Sequence, residues 1–355
     1  MTELARRDRL GAQRVFHARG QGIHGSDLRT LLERVPSVRA SGLDPRGVDA
    51  AWGLADAPER TCLRGVSAVP PGARLVDAGR GFEVEPTPPH VATSDLAHLL
   101  FAAAARALEG ARSPVVALGG GIDAPLAVLA ARRAGARVTS AIHLSVPGTP
   151  YDESREARVV AMALGLELHE IALTPDELAR ELPLAVRLAE TPLYNLHPVS
   201  RAVLARVAAL RGHDALITGD GADQAARGAT EAADYVPIVA AITRGSGLAL
   251  ASPFVDDALV DLLASAGDPE KKALRELAVD LGLPRELAAR AKVPAFAPPL
   301  PRERFPGAPA VEAVARALGR PLAWSSDDCA NVGIASLVAF VATFELDLDA
   351  AKGDR

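Results

Sequence analysis

The sequence predicts an α/β protein: a parallel, twisted sheet flanked by helices, preceded by a small α+β segment and followed by a helical C-terminal part. Three observations predict it. Between 114 and 218, short apolar runs alternate with helical stretches of about ten to fifteen residues, the rhythm of strand–helix–strand crossovers. Three consecutive glycines, Gly119, Gly120 and Gly121, fall where the first of those runs turns into a helix. From 60 to 85 the pattern is shorter and alternating, broken at Pro70-Pro71-Gly72, as in a β-hairpin or small meander.

Taken in order, the first fifty residues are polar, arginine-rich and only loosely periodic, with room for short helices such as 27–34. TCLRGVSAV, ARLVDAG and GFEVE supply the strands of the N-terminal β structure, and EPTPPH at 85–90 reads as a linker into an amphipathic helix over about 94–109. PVVAL (114–118) is the first strand of the parallel sheet, followed by an alanine-rich helix over 124–134. RVTSAIHL (137–144) and LELHEIAL (166–173) are the next strands, with a helix over 152–164 between them. Helices over 175–190 and 197–210 lead to the strand ALIT (215–218). The chain from 253 to 290 is helical, as is the tail after Pro309, where the apolar stretch 332–344 is expected to dock on the domain. There is no internal repeat.

Composition narrows the function. With 49% hydrophobic and 23% charged residues the 355-residue chain is an ordinary folded protein, and a net charge of −5 argues against a nucleic-acid-coating surface. No apolar run approaches the length that crosses a bilayer, and MTELARRDRLGAQR has no signal-peptide core, so a cytoplasmic location away from membranes is expected. Cys62 and Cys329 lie far apart and read as reduced thiols, and the eight histidines show no zinc spacing. Only four lysines are present, Lys271, Lys272, Lys292 and Lys352, so a lysine at a motif position carries weight.

Leu118-Gly119-Gly120-Gly121-Ile122-Asp123-Ala124 sits at the strand-to-helix turn where open parallel sheets bind ligands. Consecutive glycines let backbone amides approach a phosphate, the helix N-terminus favours the anion, and Asp123 is placed to hold Mg²⁺. The same residues also make a plain tight turn with Asp123 as helix cap, and the loop alone does not choose. It lacks a Walker lysine and the G-x-G-x-x-G spacing.

The loop resembles the pyrophosphate loop S-G-G-x-D-S of the asparagine synthetases and β-lactam synthetases, matching at Gly120, Gly121 and Asp123. Five further blocks resemble the family in order and approximate spacing. They are Tyr151-Asp152-Glu153 with Ala157 and Leu164-Gly165; Thr218-Gly219-Asp220-Gly221-Ala222-Asp223-Gln224; Ser252-Pro253-Phe254-Val255-Asp256; Lys271-x-x-Leu274-Arg275; and Arg290-x-Lys292. The resemblance covers about 60 to 301. It implies a Rossmann-like, N-type ATP pyrophosphatase domain over 91–355 and a truncated N-terminal segment with a β-hairpin over 1–90. It also implies an ATP-dependent ligase that turns a carboxylate into its adenylate and joins it to an amine.

Residue by residue, the resemblance makes Leu118, Gly119, Gly120, Gly121, Asp123, Ala124, Gly219 and Arg290 the ATP and pyrophosphate contacts. Asp123 and Asp223 become the Mg²⁺ ligands, Lys292 the catalytic lysine that stabilises phosphate charge, and Asp220 the group that helps deprotonate the amine. Partners are then a small carboxylate and an amine, with a homodimer or a partner enzyme compatible with the chain.

The sequence departs from the family at both loop serines, replaced by Gly119 and Ala124, and at Gln224, where an acidic residue is usual. Each missing hydroxyl removes a donor to a charged group, worth about 1.5–3 kcal/mol, so pyrophosphate binding should weaken by roughly two to four powers of ten. VPAFAPP after Lys292 is not the family's run into the lid. At position two, where a glutamine-dependent relative has its catalytic cysteine, stands Thr2, and R-T-C-L-R-G-V-x-x-V-P-P-G resembles only the last hairpin of a glutaminase. Ammonia or a substrate amine, rather than glutamine, is therefore the expected nitrogen source. Two readings follow: a ligase of a specialised biosynthetic pathway, or an impaired homologue acting as a binding or scaffold protein.

Overall fold

The computed structural model describes residues 2–79, 81–90, 95–150, 152–228, 235–290 and 299–348. Six short strands form the N-terminal region: β1 (Thr2–Arg6), β2 (Phe16–Ala18), β3 (Ile23–Gly25), β4 (Val66–Ala68), β5 (Ala73–Asp77) and β6 (Phe82–Pro86). They pair antiparallel in two three-stranded sheets, ordered β1-β5-β6 and β3-β2-β4. The hairpin read from 60–85 is thus β5–β6, and the first 25 residues add three strands that the sequence did not announce. Those strands are short and carry charged or histidine side chains, so apolar alternation is too brief to register. The helix at Leu28–Arg34 is present, with Asp27 accepting from the Thr30 amide at 2.8 Å.

The central sheet holds β7 (Pro114–Ala117), β8 (Ser140–Ser145), β9 (Glu167–Ala172), β10 (Ala215–Ile217) and β11 (Ala249–Ala251), in the order β11-β10-β7-β8-β9. Every pairing in it is parallel. Adjacent residues serve opposite faces. Val116 and Ile217 pack with the helices Leu96–Ala107, Asp123–Arg133 and Ser154–Leu164, while Val115, Ile142 and Leu216 pack with Ala205 and Ala208 of His197–Leu210. Burial on both faces is what a parallel sheet requires. From β7 the chain builds outward first through β8 and β9, then on the other side through β10 and β11. The order therefore reverses between β7 and β10, and the loops leaving their carboxyl ends flank the crevice.

Two differences from the sequence reading have simple causes. The single helix over 175–190 is two, Pro175–Arg180 and Leu182–Ala189, because Pro183 lacks the amide needed to continue the first. The strand β11 and the preceding helix Tyr235–Gly245 were not read at all. That helix buries every residue from Val236 to Thr243, and a short apolar run of this kind does not by itself distinguish a buried helix from a buried strand.

The terminal helix Asp328–Thr343 docks as expected: Val332, Leu337 and Phe340 share a core with Phe16, Leu28, Leu31 and Leu63 of the N-terminal region and with Leu182–Ala189. Among the described residues no helix is long and apolar enough to cross a membrane.

Candidate active site

Two loops make the site. The first leaves β7 at Leu118, whose amide bonds the Ile142 carbonyl at 2.9 Å and whose carbonyl is 2.8 Å from Nδ1 of buried His143. The Leu118 side chain belongs to the core, so only its backbone is oriented by this strand edge. The glycines differ in what they permit. A Cβ on Gly119 would lie 2.8 Å from Oε2 of Glu153, and one on Gly120 would lie 2.1 Å from Nη1 of Arg290. Gly121 faces open space. The Gly120 amide donates to Glu153 Oε2 at 3.3 Å and its carbonyl accepts from Arg290 Nη1 at 3.0 Å. Glu153 itself follows Asp152, whose carboxylate accepts from the Ser154 hydroxyl at 2.5 Å and amide at 3.0 Å. Those bonds, the hydroxyl first, hold Asp152 below its ordinary pKa.

The second loop leaves β10 at Thr218. A Cβ on Gly219 would lie 2.4 Å from Cβ of Asp123 and 2.8 Å from the Ala124 amide nitrogen. The two loops are in contact, and only glycine allows it. Gly221, at φ 98°, then turns the chain into the helix Ala222–Ala226, which carries Asp223 in its first turn. We expect Gly219→Ala to lose about 1–3 kcal/mol of stability in urea unfolding, the usual cost of overpacking, because the obstructing atoms include backbone. A loss below about 0.5 kcal/mol, the usual size of a surface change, would mean that the loops separate easily.

Where the loops meet, Asp123 and Asp223 converge on one cation of the chain. Lys271 Nζ lies 2.8 and 2.7 Å from the two oxygens of Asp123 and 2.8 Å from Oδ1 of Asp223. Asp123 is therefore not the helix cap: the capping position is Ile122, without a side-chain bond, and the Asp123 carboxylate points to the crevice cluster. Two carboxylates converging on a point are a fitting donor set for Mg²⁺. Among the described residues no group of three acidic, histidine or cysteine side chains assembles.

Asp220, between the loop glycines, is gripped by Arg201 of His197–Leu210 in two parallel bonds, 2.7 and 3.0 Å. Both side chains are about nine-tenths buried, with 10% and 8% of their surface exposed. Ser252 fixes the same loop by donating to the Asp220 carbonyl at 2.6 Å. Arg275 donates to the carbonyls of Arg290, at 2.9 Å, and Ala288, which carries Arg290 to the glycine loop. The blocks around Ser252, Lys271, Arg275 and Arg290 thus reach the site although they lie far along the chain. Ala124 is partly buried, with its methyl against the core. Lys292 and Tyr151 lie outside the described residues.

Four contributors escaped the sequence reading. Lys271 was seen as a motif match without a role, though its rarity in a chain of four lysines was a signal. Glu153 lay inside a quoted block, again without a role. Glu156, 3.5 Å from Arg290, and Arg201 had no signal at all, since nothing in one sequence distinguishes them from other acidic residues and arginines.

Residues 95–237 match the asparagine synthase family. Over this segment the chain is similar to that family. The matched segment contains both loops of the site, while Lys271, Arg275 and Arg290 lie beyond it. Carboxyethyl-arginine beta-lactam-synthase of Streptomyces clavuligerus is 30% identical over 197 residues, covering 52% of this chain and 37% of that protein's length. The chain therefore spans little more than a third of that relative's length. Among solved structures, NMN synthetase from Francisella tularensis aligns over 74% of this chain and 97% of its own, at 16% identity and a TM-score of 0.36, too distant to bear on function.

Proposed function

We propose that the chain is an ATP-dependent, AMP-forming ligase that activates a carboxylate and passes it to ammonia or an amine. The observation that carries this reading is the meeting of Asp123, Asp223 and Lys271 beside a glycine loop at the sheet's switch point.

In the proposed first half-reaction a substrate carboxylate oxygen attacks the α-phosphorus of ATP, and the bond to the β-phosphate oxygen breaks to release pyrophosphate. The glycine loop and the start of the helix Asp123–Arg133 face the departing phosphates with amides. Asp123 and Asp223 would hold Mg²⁺, which when bound neutralises charge on the phosphate oxygens. Arg290, anchored on the Gly120 carbonyl, brings a guanidinium to the same loop. In the second half-reaction the amine nitrogen attacks the acyl carbon, the bond to AMP breaks, and a proton leaves the nitrogen. We assign that proton to Asp220 of the second loop. Arg201 occupies one lone pair of each oxygen, and a carboxylate has about four acceptor sites, so acceptor capacity remains.

Neither cysteine is suited to release ammonia from glutamine. Cys62 is buried, and the Cys329 thiol is pushed up by desolvation and by Asp327 and Asp328. That supports ammonia or an amine as nitrogen source.

A second reading, a scaffold without turnover, is favoured by one contact: Glu153 places a carboxylate on the Gly120 amide, within the loop meant for an anion. ATP–pyrophosphate exchange across a panel of amino acids separates the two, since exchange with any carboxylate excludes the scaffold. Restoring Gly119→Ser and Ala124→Ser should strengthen pyrophosphate binding in calorimetry by about 1.5–3 kcal/mol for each hydroxyl bond formed. The gain at 119 requires Glu153 to swing aside, because the new Cβ meets its carboxylate. No gain from the double variant would show that Glu153 keeps the loop closed.

A further inference from the structure

The two acidic side chains of the site are already joined by a cation that belongs to the chain. Lys271 is 5% exposed, and its ammonium makes three short contacts with Asp123 and Asp223, as many as it has hydrogens. Its backbone is left-handed, at φ 57°, a conformation that residues with a β-carbon seldom adopt. Its own amide holds that turn through the Asp268 carbonyl at 3.0 Å, directly before the helix Lys272–Asp280. Strain of this kind persists where the surrounding structure imposes it, and here it delivers one ammonium between two carboxylates.

We propose that Lys271 is the resident counter-ion of the metal site, so that a divalent cation and the Lys271 ammonium compete for the same point and the metal enters only as Lys271 leaves. Without the ammonium, two carboxylates facing one point would repel each other, which favours either a bound cation or a protonated acid. With it they are held converged before any ligand arrives. Mg²⁺ needs the same oxygens at about 2.0–2.1 Å. An ammonium within about 3 Å of those oxygens would then sit against the metal as a like charge in a partly desolvated place, and such juxtaposition is strongly unfavourable. The pair of aspartates and the lysine carry one net negative charge, enough to attract a cation but less than the bare pair would.

The proposal rests on reading Asp123 and Asp223 as the metal ligands. Its test reads lysine and metal directly, without ATP, so a chain that never turns over would still answer it. The full chain carries four lysines, which makes their side-chain NMR signals separable. With ¹³C,¹⁵N-labelled lysine, the Lys271 signal is assigned by its loss in Lys271→Met, and Mg²⁺ is titrated into the wild type. The expected result is a Lys271 signal that moves to solvent-exposed values in step with metal saturation. In parallel, Mn²⁺ binding followed by electron paramagnetic resonance should be at least about tenfold tighter in Lys271→Met than in the wild type. Mn²⁺ should also raise the melting temperature of that variant more than that of the wild type. If Lys271→Met does not fold in the absence of metal, the wild-type titration decides alone, with the assignment made from Lys271→Arg. A Lys271 signal unmoved at metal saturation overturns the proposal. So does Mn²⁺ binding in the variant that is equal or weaker, or absent from both proteins.

Discussion

Asp123→Asn should abolish ATP–pyrophosphate exchange, a loss of about a thousandfold or more, while the chain stays folded. The size of the effect follows from the site's economy. Asp123 and Asp223 share the Lys271 ammonium, and Asp123 contributes both of its oxygens to it. Asparagine keeps the shape but removes the charge, and removing a preorganised electrostatic partner of a transition state costs about two to three powers of ten for a single donor, more for a metal ligand. Lys271 retains Asp223 as a partner in this variant, so the melting temperature should change little. Exchange measured at saturating carboxylate, beside a circular-dichroism melt, gives both readouts. An Asp123→Asn protein that exchanges at the wild-type rate would remove Asp123 from the catalytic set.

The second large effect is on stability. Arg201→Leu leaves the Asp220 carboxylate buried without its bidentate partner, and breaking such a pair costs about 3–5 kcal/mol. Removing both charges, as Arg201→Leu with Asp220→Leu, should recover most of that, because the penalty lies in the unpaired charge rather than in the pair. Urea unfolding at neutral pH of the two single variants and the double variant forms the cycle. Additive losses would mean that water reaches Asp220 and that the two side chains are energetically independent.

Much of the site was legible because its chemistry is carried by short blocks whose order the fold must respect. The sequence placed Asp123 and Asp223 at the carboxyl ends of two strands, and the pairing Ile217↔Val116 brings those ends side by side. What it could not carry was the third dimension of charge. Arg201 lies in mid-helix, nineteen positions before its partner, and a helix interior offers no pattern that marks one arginine as buried. Lys271 has a position in a block, but that its ammonium would take the point assigned to a metal depends on a left-handed turn at a residue where sequence rules expect glycine. The short strands of the first 25 residues were hidden for a different reason. β1 and β2 owe their pairing to β5 and β4, some fifty to seventy positions later, and propensity reports little of a pairing that tertiary context decides.

The shared core of the two chain ends bears on how the protein is made. Phe16, Leu28 and Leu31 are buried together with Val332, Leu337 and Phe340, so these apolar residues find partners that are synthesised some three hundred positions later. At about 5–20 residues per second, the ribosome takes roughly 15–60 s to cover the intervening three hundred positions. Throughout that interval the sheet β3-β2-β4 and the helix Leu28–Arg34 expose a surface meant for Asp328–Thr343. Nascent chains halted before about residue 330 should accordingly engage chaperones through this face, while the nucleotide-loop half of the sheet, whose core is separate, already has its own partners.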